Sequence, residues 1–260
     1  MWVRKQLDSI KAEFTFPKIK PRKVILVVDT TYFGKRRDAT ELDGIMVFVD
    51  AITGQILWAK FVKSETNNYY QVGLNYLEGR GFEILGIVSD GRRGLANIFA
   101  KYPYQVCQFH IQKGVSTLLT RNPKSHAGKD LKQFNDTFIK LKLTRDQFME
   151  QMEIYLKTHQ DYLNEMSEVD PQKYKHTRLR KALNKYKNNL KNLFISETNP
   201  QPKNLLQTES HIKIPTTTNH IDGGVFSPLK RVMNCHTGTI KQRRKGLIVL
   251  FLNSRGKSIT

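Results

Sequence analysis

Val24-Ile25-Leu26-Val27-Val28-Asp29-Thr30-Thr31 opens with five apolar residues in a row, four of them β-branched. A run with no polar alternation is the pattern of a strand buried on both faces, and Asp29-Thr30-Thr31 bounds it. Such a strand belongs in the middle of a sheet covered by helices, so its neighbours in sequence decide the architecture. Residues 44–49 and 55–62 are two further strand candidates. Asp50-Ala51-Ile52-Thr53-Gly54 joins them, and its Asp and Gly suit a tight turn, so the first three strands form an antiparallel meander.

Asn67 or Asn68 then caps a helix on which Tyr69, Val72 and Tyr76, and likewise Tyr70, Leu74 and Leu77, recur at helical spacing until Gly79-Arg80-Gly81 stops it. Residues 82–88 are a fourth strand, ending in Ser89-Asp90-Gly91. A helix carrying Leu95, Ile98 and Phe99 on one face leads to Pro103, and residues 104–109 are a fifth strand. The order β-β-β-α-β-α-β predicts an α/β chain with a mixed five-stranded sheet flanked by helices.

From about residue 111 to 206 the pattern is helical only. Leu131, Phe134, Phe138 and Leu141 step by three and four, as do Leu179, Leu183, Tyr186, Leu190 and Leu193. Between Lys173 and Lys191 the second stretch carries eight Lys or Arg and no acid. Its basic side, with Lys173, Lys175, Arg178, Arg180 and Lys181, is expected to face a phosphate backbone. Asn199-Pro200-Gln201-Pro202 breaks the run. A last pair of helices starts near Thr218 or Asn219 and near Lys241. The expected division is a basic linker over 1–22, a first part of the core over 23–110, a helical insertion over 111–206, and a closing helix with a basic tail over 207–260.

Composition narrows the partners. Lys and Arg number 43 against 23 Asp and Glu, a formal net charge of +20, and self-repulsion of that size calls for a polyanion, nucleic acid first. Two cysteines, Cys107 and Cys235, exclude a disulfide-dense secreted scaffold. No apolar stretch reaches the roughly 18 residues of a membrane span and no signal-peptide block opens the chain, so a cytoplasmic, nucleoid-associated location away from membranes is expected.

Strands one and four are separated by a hairpin and a helical crossover, which favours laying them parallel. Asp29 and Asp90 each follow the carboxyl end of their apolar run, so adjacent strands would bring both carboxylates to one edge, roughly 4.8 Å apart in strand spacing. Two like charges that close raise one another's proton affinity unless a cation lies between them. Hard oxygen donors with open positions suit Mg²⁺, with Mn²⁺ tolerated, and point to phosphoryl chemistry. Asp38, Asp43 and Asp50 lack that context and read as structural.

Val28-Asp29-Thr30-Thr31, Val88-Ser89-Asp90-Gly91, Cys107-Gln108-Phe109-His110 and Thr217-Thr218-Asn219-His220-Ile221-Asp222-Gly223-Gly224, in that order, resemble the signature of the mutator-like bacterial insertion-sequence transposases, over residues 23 to 252. The resemblance implies a ribonuclease H-like catalytic domain and a DDE-type acidic triad. It also implies two Mg²⁺ ions and DNA-mediated transposition, with cleavage and strand transfer on double-stranded transposon ends and target. Assembly on that DNA as a homodimer or larger is expected. Carried over by position, Asp29 and Asp90 are the first two triad members and Asp222 the third, where the family has Glu in a Thr-Asn-x-x-Glu context. Glu209 is the other acid considered for that place. Cys107 and His110 match a Cys-x-x-His pair, expected beside the active site and not as half of a zinc centre. Arg92 and Arg93 after Asp90, Lys230 and Arg231 beyond Asp222, and Lys241, Arg243 and Arg244 in the final basic helix are expected to grip DNA backbone.

Two other classes compete. One is a truncated or decayed copy that binds DNA without cutting it, suggested by Asp222 in place of Glu and by the 22 residues being too few for an upstream recognition domain. The other is a different ribonuclease H-like nuclease such as a junction resolvase, against which the long helical insertion argues.

Overall fold

The computed structural model describes residue 14 and residues 19–33, 43–198 and 213–256. Five strands form one sheet in the order β3-β2-β1-β4-β5: β1 (Lys23–Phe33), β2 (Asp43–Asp50), β3 (Ile56–Val62), β4 (Glu83–Ser89) and β5 (Tyr104–Val106). β1 pairs antiparallel with β2 and parallel with β4; β2 pairs antiparallel with β3, and β4 parallel with β5. A meander continued by parallel strands on its inner edge, with helices on both faces, is the ribonuclease H-like sheet expected from the sequence.

The continuous apolar run explains why β1 is central. Val24, Leu26 and Val28 enter the core on one face, with helix α1 (Asn67–Gly79), while Ile25 and Val27 enter a second core on the other. Alternation along the strand is what divides the two. The hairpin turn after β2 closes as expected: Gly54 N–H donates to the Asp50 carbonyl at 2.8 Å, and Gly54 takes a positive φ of 70°. Asp50 is structural, fully buried and paired with Arg22 at 2.8 Å.

A short helix α2 (Leu95–Ile98) precedes β5. Six helices follow: α3 (Gln108–Leu119), α4 (His126–Lys140), α5 (Arg145–Thr158), α6 (Gln160–Asn164), α7 (Thr177–Leu193) and α8 (Ile195–Thr198). α3 to α7 join the core on the first face of the sheet, whereas Ile195 of α8 packs into the second, and Phe148 at the centre of the helices lies 5.0 Å from the Phe134 and Phe138 rings, 5.2 Å from Tyr186 and 5.3 Å from Phe194. Helices α9 (Asn219–Ile221), α10 (Ser227–Cys235) and α11 (Lys241–Gly256) cover the second face, with a π-helical turn over Asp222–Phe226 between the first two. Ile221, Val225, Phe226, Leu229 and Ile248 pack there against Ile25 and Val27.

Four boundaries depart from the sequence reading. β1 does not stop before Asp29 but runs to Phe33, because the β2 ladder continues past the point where β4 leaves it. β5 has three residues, not six: β4 ends at Ser89, nothing remains for residues beyond Val106 to pair with, and Gln108 already begins α3. Thr66, not an asparagine, is the residue before α1, and the Asn67 side chain is engaged elsewhere. Leu141 stands exposed past the end of α4. The proline break at 199–202 and Glu209 lie outside the described residues.

Candidate active site at the carboxyl edge of the sheet

The register of β1 against β4 brings the first two acids to one edge of the sheet. Val27 lies opposite Val88 at the end of that ladder, and Asp29 and Asp90 each follow two residues later, Asp90 just past the end of β4. Asp29 shares the alternation of Ile25 and Val27 and therefore projects to the face covered by the C-terminal helices, where the π turn begins with Asp222. The three sequence-predicted acids converge electrostatically. Burial raises the Asp29 carboxyl to about 8; the Thr30 N–H, donating to its Oδ1 at 2.7 Å, opposes this, and the Asp222 and Asp90 carboxylates raise it further. Asp29 is only 8% exposed, whereas Asp90 and Asp222 are half-buried and open toward solvent.

The short helical lead to Asp222 is held from below. Thr218 is fully buried, and its N–H and Oγ1 approach the Cys107 Sγ at 3.3 and 3.5 Å. Its Oγ1 also lies 3.3 Å from His110 Nδ1. Asp222 N–H donates back to the Thr218 carbonyl, and Gln108 N–H to the Thr216 carbonyl at 2.9 Å, so the β5–α3 corner fastens the segment that carries the third acid. Cys107 and His110 thus meet at Thr218, four residues before Asp222. Burial lowers the affinity of His110 for its proton; Asp90 and Asp222 pull the other way, and Lys113 and Lys185 add to the lowering. The thiol of Cys107 is pushed up by burial. A buried, uncharged thiol and a neutral ring suit a packing and hydrogen-bonding role.

The sequence reading passed over Glu65. It too acts on Asp29, and its own carboxyl is raised by burial and by Asp90, against a hydrogen bond from Tyr70 and the Arg92 guanidinium 3.9 Å away. A signal for it existed in the meander. Two antiparallel steps turn β3 to run with β1, so the residues after β3 emerge at the same edge as those after β4. Asn67 ties the two connections together. Its Nδ2 donates to the Arg93 carbonyl at 3.2 Å, its Oδ1 accepts from Arg92 Nε at 3.3 Å, and Arg92 N–H donates to Asp90 Oδ1 at 3.0 Å.

The sequence-predicted cations divide. Arg92, Arg93 and Lys181 line a cleft beside Asp90. The others named on the basic helical stretch are committed inside the insertion. Lys173 pairs with Asp170 at 2.7 Å, and Lys175 with Glu165 and Glu168 at 3.4 and 3.5 Å. Arg178 donates to the Thr117 carbonyl. Arg180 donates to the Leu163 carbonyl at 2.7 Å and stacks 3.5 Å from the Tyr174 ring centre. Lys230 and Arg231 are exposed on α10; Arg243 lies on the first turn of α11, and Lys241 and Arg244 line a small cavity of about 230 Å³ against Phe33.

The chemistry of these donors, carboxylate oxygens, is the kind that suits a divalent cation. The carboxyl of Asp29 is withdrawn from water with one backbone N–H opposing its burial and three carboxylates around it, an arrangement that hard positive charge relieves. Among the described residues, no three His, Cys, Asp or Glu side chains are close enough to grip one ion as they stand, so side-chain adjustment would accompany binding. Among the described residues, no helix is long and apolar enough to cross a membrane.

No family model matches the chain, and no curated protein matches it. Among solved structures it is similar to a chain in the cryo-EM structure of the simian T-cell lymphotropic virus intasome in complex with PP2A regulatory subunit B56 gamma, at 15% identity and a TM-score of 0.27. The match covers 68% of this chain and 54% of that one, so this chain spans about half the length of the solved chain it matches. The fold assignment rests on strand order and sense.

Proposed function

We propose that this chain is the catalytic core of a DDE-type transposase of the mutator-like insertion-sequence kind, which cleaves DNA at element ends and joins the freed strand to a target. The observation that supports the proposal is that Asp90 and Asp222, far from Asp29 in sequence, both act electrostatically on its buried carboxyl, near where β4 ends beside β1. These three residues would hold two Mg²⁺ ions, which when bound supply charge neutralisation at the phosphodiester and lower the pKa of an attacking water or 3′-hydroxyl. Asp29, buried and oriented by the Thr30 N–H, is the fixed member of the set. Asp90 and Asp222 lie at the rim, where a DNA backbone can reach them. Arg92, anchored through Glu65 and Asn67, and Arg93 hold phosphate on the Asp90 side; Lys230 and Arg231 follow on the Asp222 side. His110, neutral and held against Thr218, fixes the backbone that presents Asp222. Paired double-stranded ends and self-association on them complete the proposal.

The test is strand transfer of pre-cut element ends into supercoiled plasmid with Mg²⁺ or Mn²⁺. Loss of product in Asp29→Asn and in Asp90→Asn is expected; nicking that continues unchanged in both variants would overturn the proposal. A second reading, DNA binding without catalysis, is favoured by Asp222, one methylene shorter than the Glu of the resembling family, and by the open spacing of the acids. Gain of strand transfer in Asp222→Glu would identify an impaired enzyme. Salt-sensitive DNA binding with no cleavage in any metal, in either form, would establish the second reading.

A further inference from the structure

A cleft of about 720 Å³ separates α7 from the Gly91–Ala96 segment, directly beside Asp90. Four cations line it, Arg92 and Arg93 from one wall and Lys181 and Lys185 from the other. Between the lysines and beyond them stand amides: Asn184, Asn188 and Asn192 repeat every four residues on α7, so they form a row along one side of the helix at intervals of roughly 6 Å. A phosphate track needs only cations. An uncharged amide can donate to a phosphate oxygen as a lysine does, but it also carries an acceptor beside its donor, and that pair matches a base edge, as in the bidentate contact of Asn to adenine N6 and N7.

Size and position limit what can enter. The volume is in the range of about 300–1,000 Å³ that takes a compact ligand, room for a base or two and not for the width of a duplex, which favours an unpaired strand. The row of amides spans about 6 Å per step, close to two stacked bases at about 3.4 Å each. The cleft also begins at the residue after Asp90. A Cβ on Gly91, which takes φ 77°, would stand 2.6 Å from Val106 Cγ1 and 3.2 Å from Asn189 Oδ1, so the bare glycine lets both β5 and α7 close on the residue next to Asp90. Lys185 lies across Gly114 of α3 and acts electrostatically on His110, which in turn feels Asp90 and Asp222.

We propose that this cleft receives the bases of a single DNA strand leaving the scissile phosphate, with Asn184 and Asn188 contacting base edges and the flanking cations holding its backbone. This rests on the transposase reading for its placement beside the cut site. The test uses fluorescence anisotropy in EDTA with two labelled single-stranded oligodeoxynucleotides of equal length, one ordinary and one made abasic throughout, so that both carry the same phosphates. The unsubstituted protein is expected to prefer the ordinary strand by about tenfold, within the range of a good amide–base contact. Asn184→Ala/Asn188→Ala is expected to lose that preference while keeping its affinity for the abasic strand; both side chains are exposed, and circular dichroism confirms that the fold is retained. Equal binding of the two strands by the unsubstituted protein overturns the inference, as does a double variant weakened equally toward both. Plasmid nicking measured in parallel separates the two failures: nicking without base preference removes the cleft alone, and absence of both removes the transposase reading with it.

Discussion

Replacing Asp29 by Asn should make the metal-free protein more stable, and increasingly so as pH rises. In the folded chain burial holds this carboxyl at about 8, against 3.8 for an unperturbed aspartate. Between those values the unfolded chain has released the proton and the folded chain retains it, so stability falls through the window as pH rises. The contribution is fully present below about 3.8 and gone above about 8. At about 1.36 kcal/mol per unit, the window holds at most about 6 kcal/mol, and on the order of 1–2 kcal/mol of it is lost by pH ~5. The Asp29→Asn side chain has no proton to release, and its carbonyl can still accept the Thr30 N–H, so the variant escapes that loss. With about 2–4 °C of Tm per kcal/mol for a chain of this size, the variant should melt at least ~5 °C above the parent at pH ~8 in EDTA, and the gap should shrink at pH ~5. Divalent metal should narrow the gap. Saturation to a hundred times Kd adds about 2.7 kcal/mol to the parent, and more at pH ~8 than at pH ~6, where a proton competes for the site. Differential scanning fluorimetry across pH with EDTA or MgCl₂ reads all of this. A variant that melts below the parent at high pH, or a gap that does not change with pH, would refute the account of Asp29 as a buried acid awaiting a cation.

Other substitutions address separate links. Thr218→Val removes the hydroxyl shared by Cys107 and His110; it should cost about 1 kcal/mol of stability by chemical denaturation. It should lower strand-transfer turnover roughly tenfold with DNA affinity unchanged, which single-turnover kinetics can separate from binding. Glu65→Gln keeps the hydrogen bond from Tyr70 but removes one carboxylate from the field of Asp29, so metal titration followed by melting should show weaker stabilisation by Mg²⁺ than in the parent. Unchanged metal response would place Glu65 outside the site. Phe148→Ala empties the centre of the aromatic cluster in the insertion, and urea unfolding should report a loss of about 3–5 kcal/mol.

The central strand, its parallel partner and the placement of Asp29 and Asp90 at one sheet edge were legible because burial on both faces writes a continuous apolar run, and because crossover rules leave few ways to join such runs. Asp29 itself shows the limit. An acid inside a strand reads as a strand end, and only the partner ladder from β2 reveals that pairing continues to Phe33. Asp222 enters only as a candidate, through its neighbours Thr218 and Asn219 and by family resemblance, since a lone acid early in a helix carries no pattern of its own. Glu65 could have been reached by following chain direction through the meander, but its sequence neighbours Ser64 and Thr66 mark it only as part of a turn. The basic stretch over 173–191 was visible as charge. How those cations are paired was not, because Glu165, Glu168 and Asp170, which meet Lys173 and Lys175, come from the preceding loop.

The helical insertion leaves the sheet at β5 and comes back to it within a few ångströms. Gln105 donates through Nε2 to the Leu193 carbonyl at 2.7 Å and accepts from the Ser196 N–H at 3.1 Å, and Gln108 donates to the same Leu193 carbonyl at 3.0 Å. The excursion is therefore pinched shut at its base like a purse on a drawstring, independent of how much chain lies inside. Lengthening or trimming the loops at its far end would reshape the outer surface without disturbing the strands beneath. Cutting the drawstring at Gln105 would let the two ends part, and the acids at the sheet edge would lose their helical neighbour.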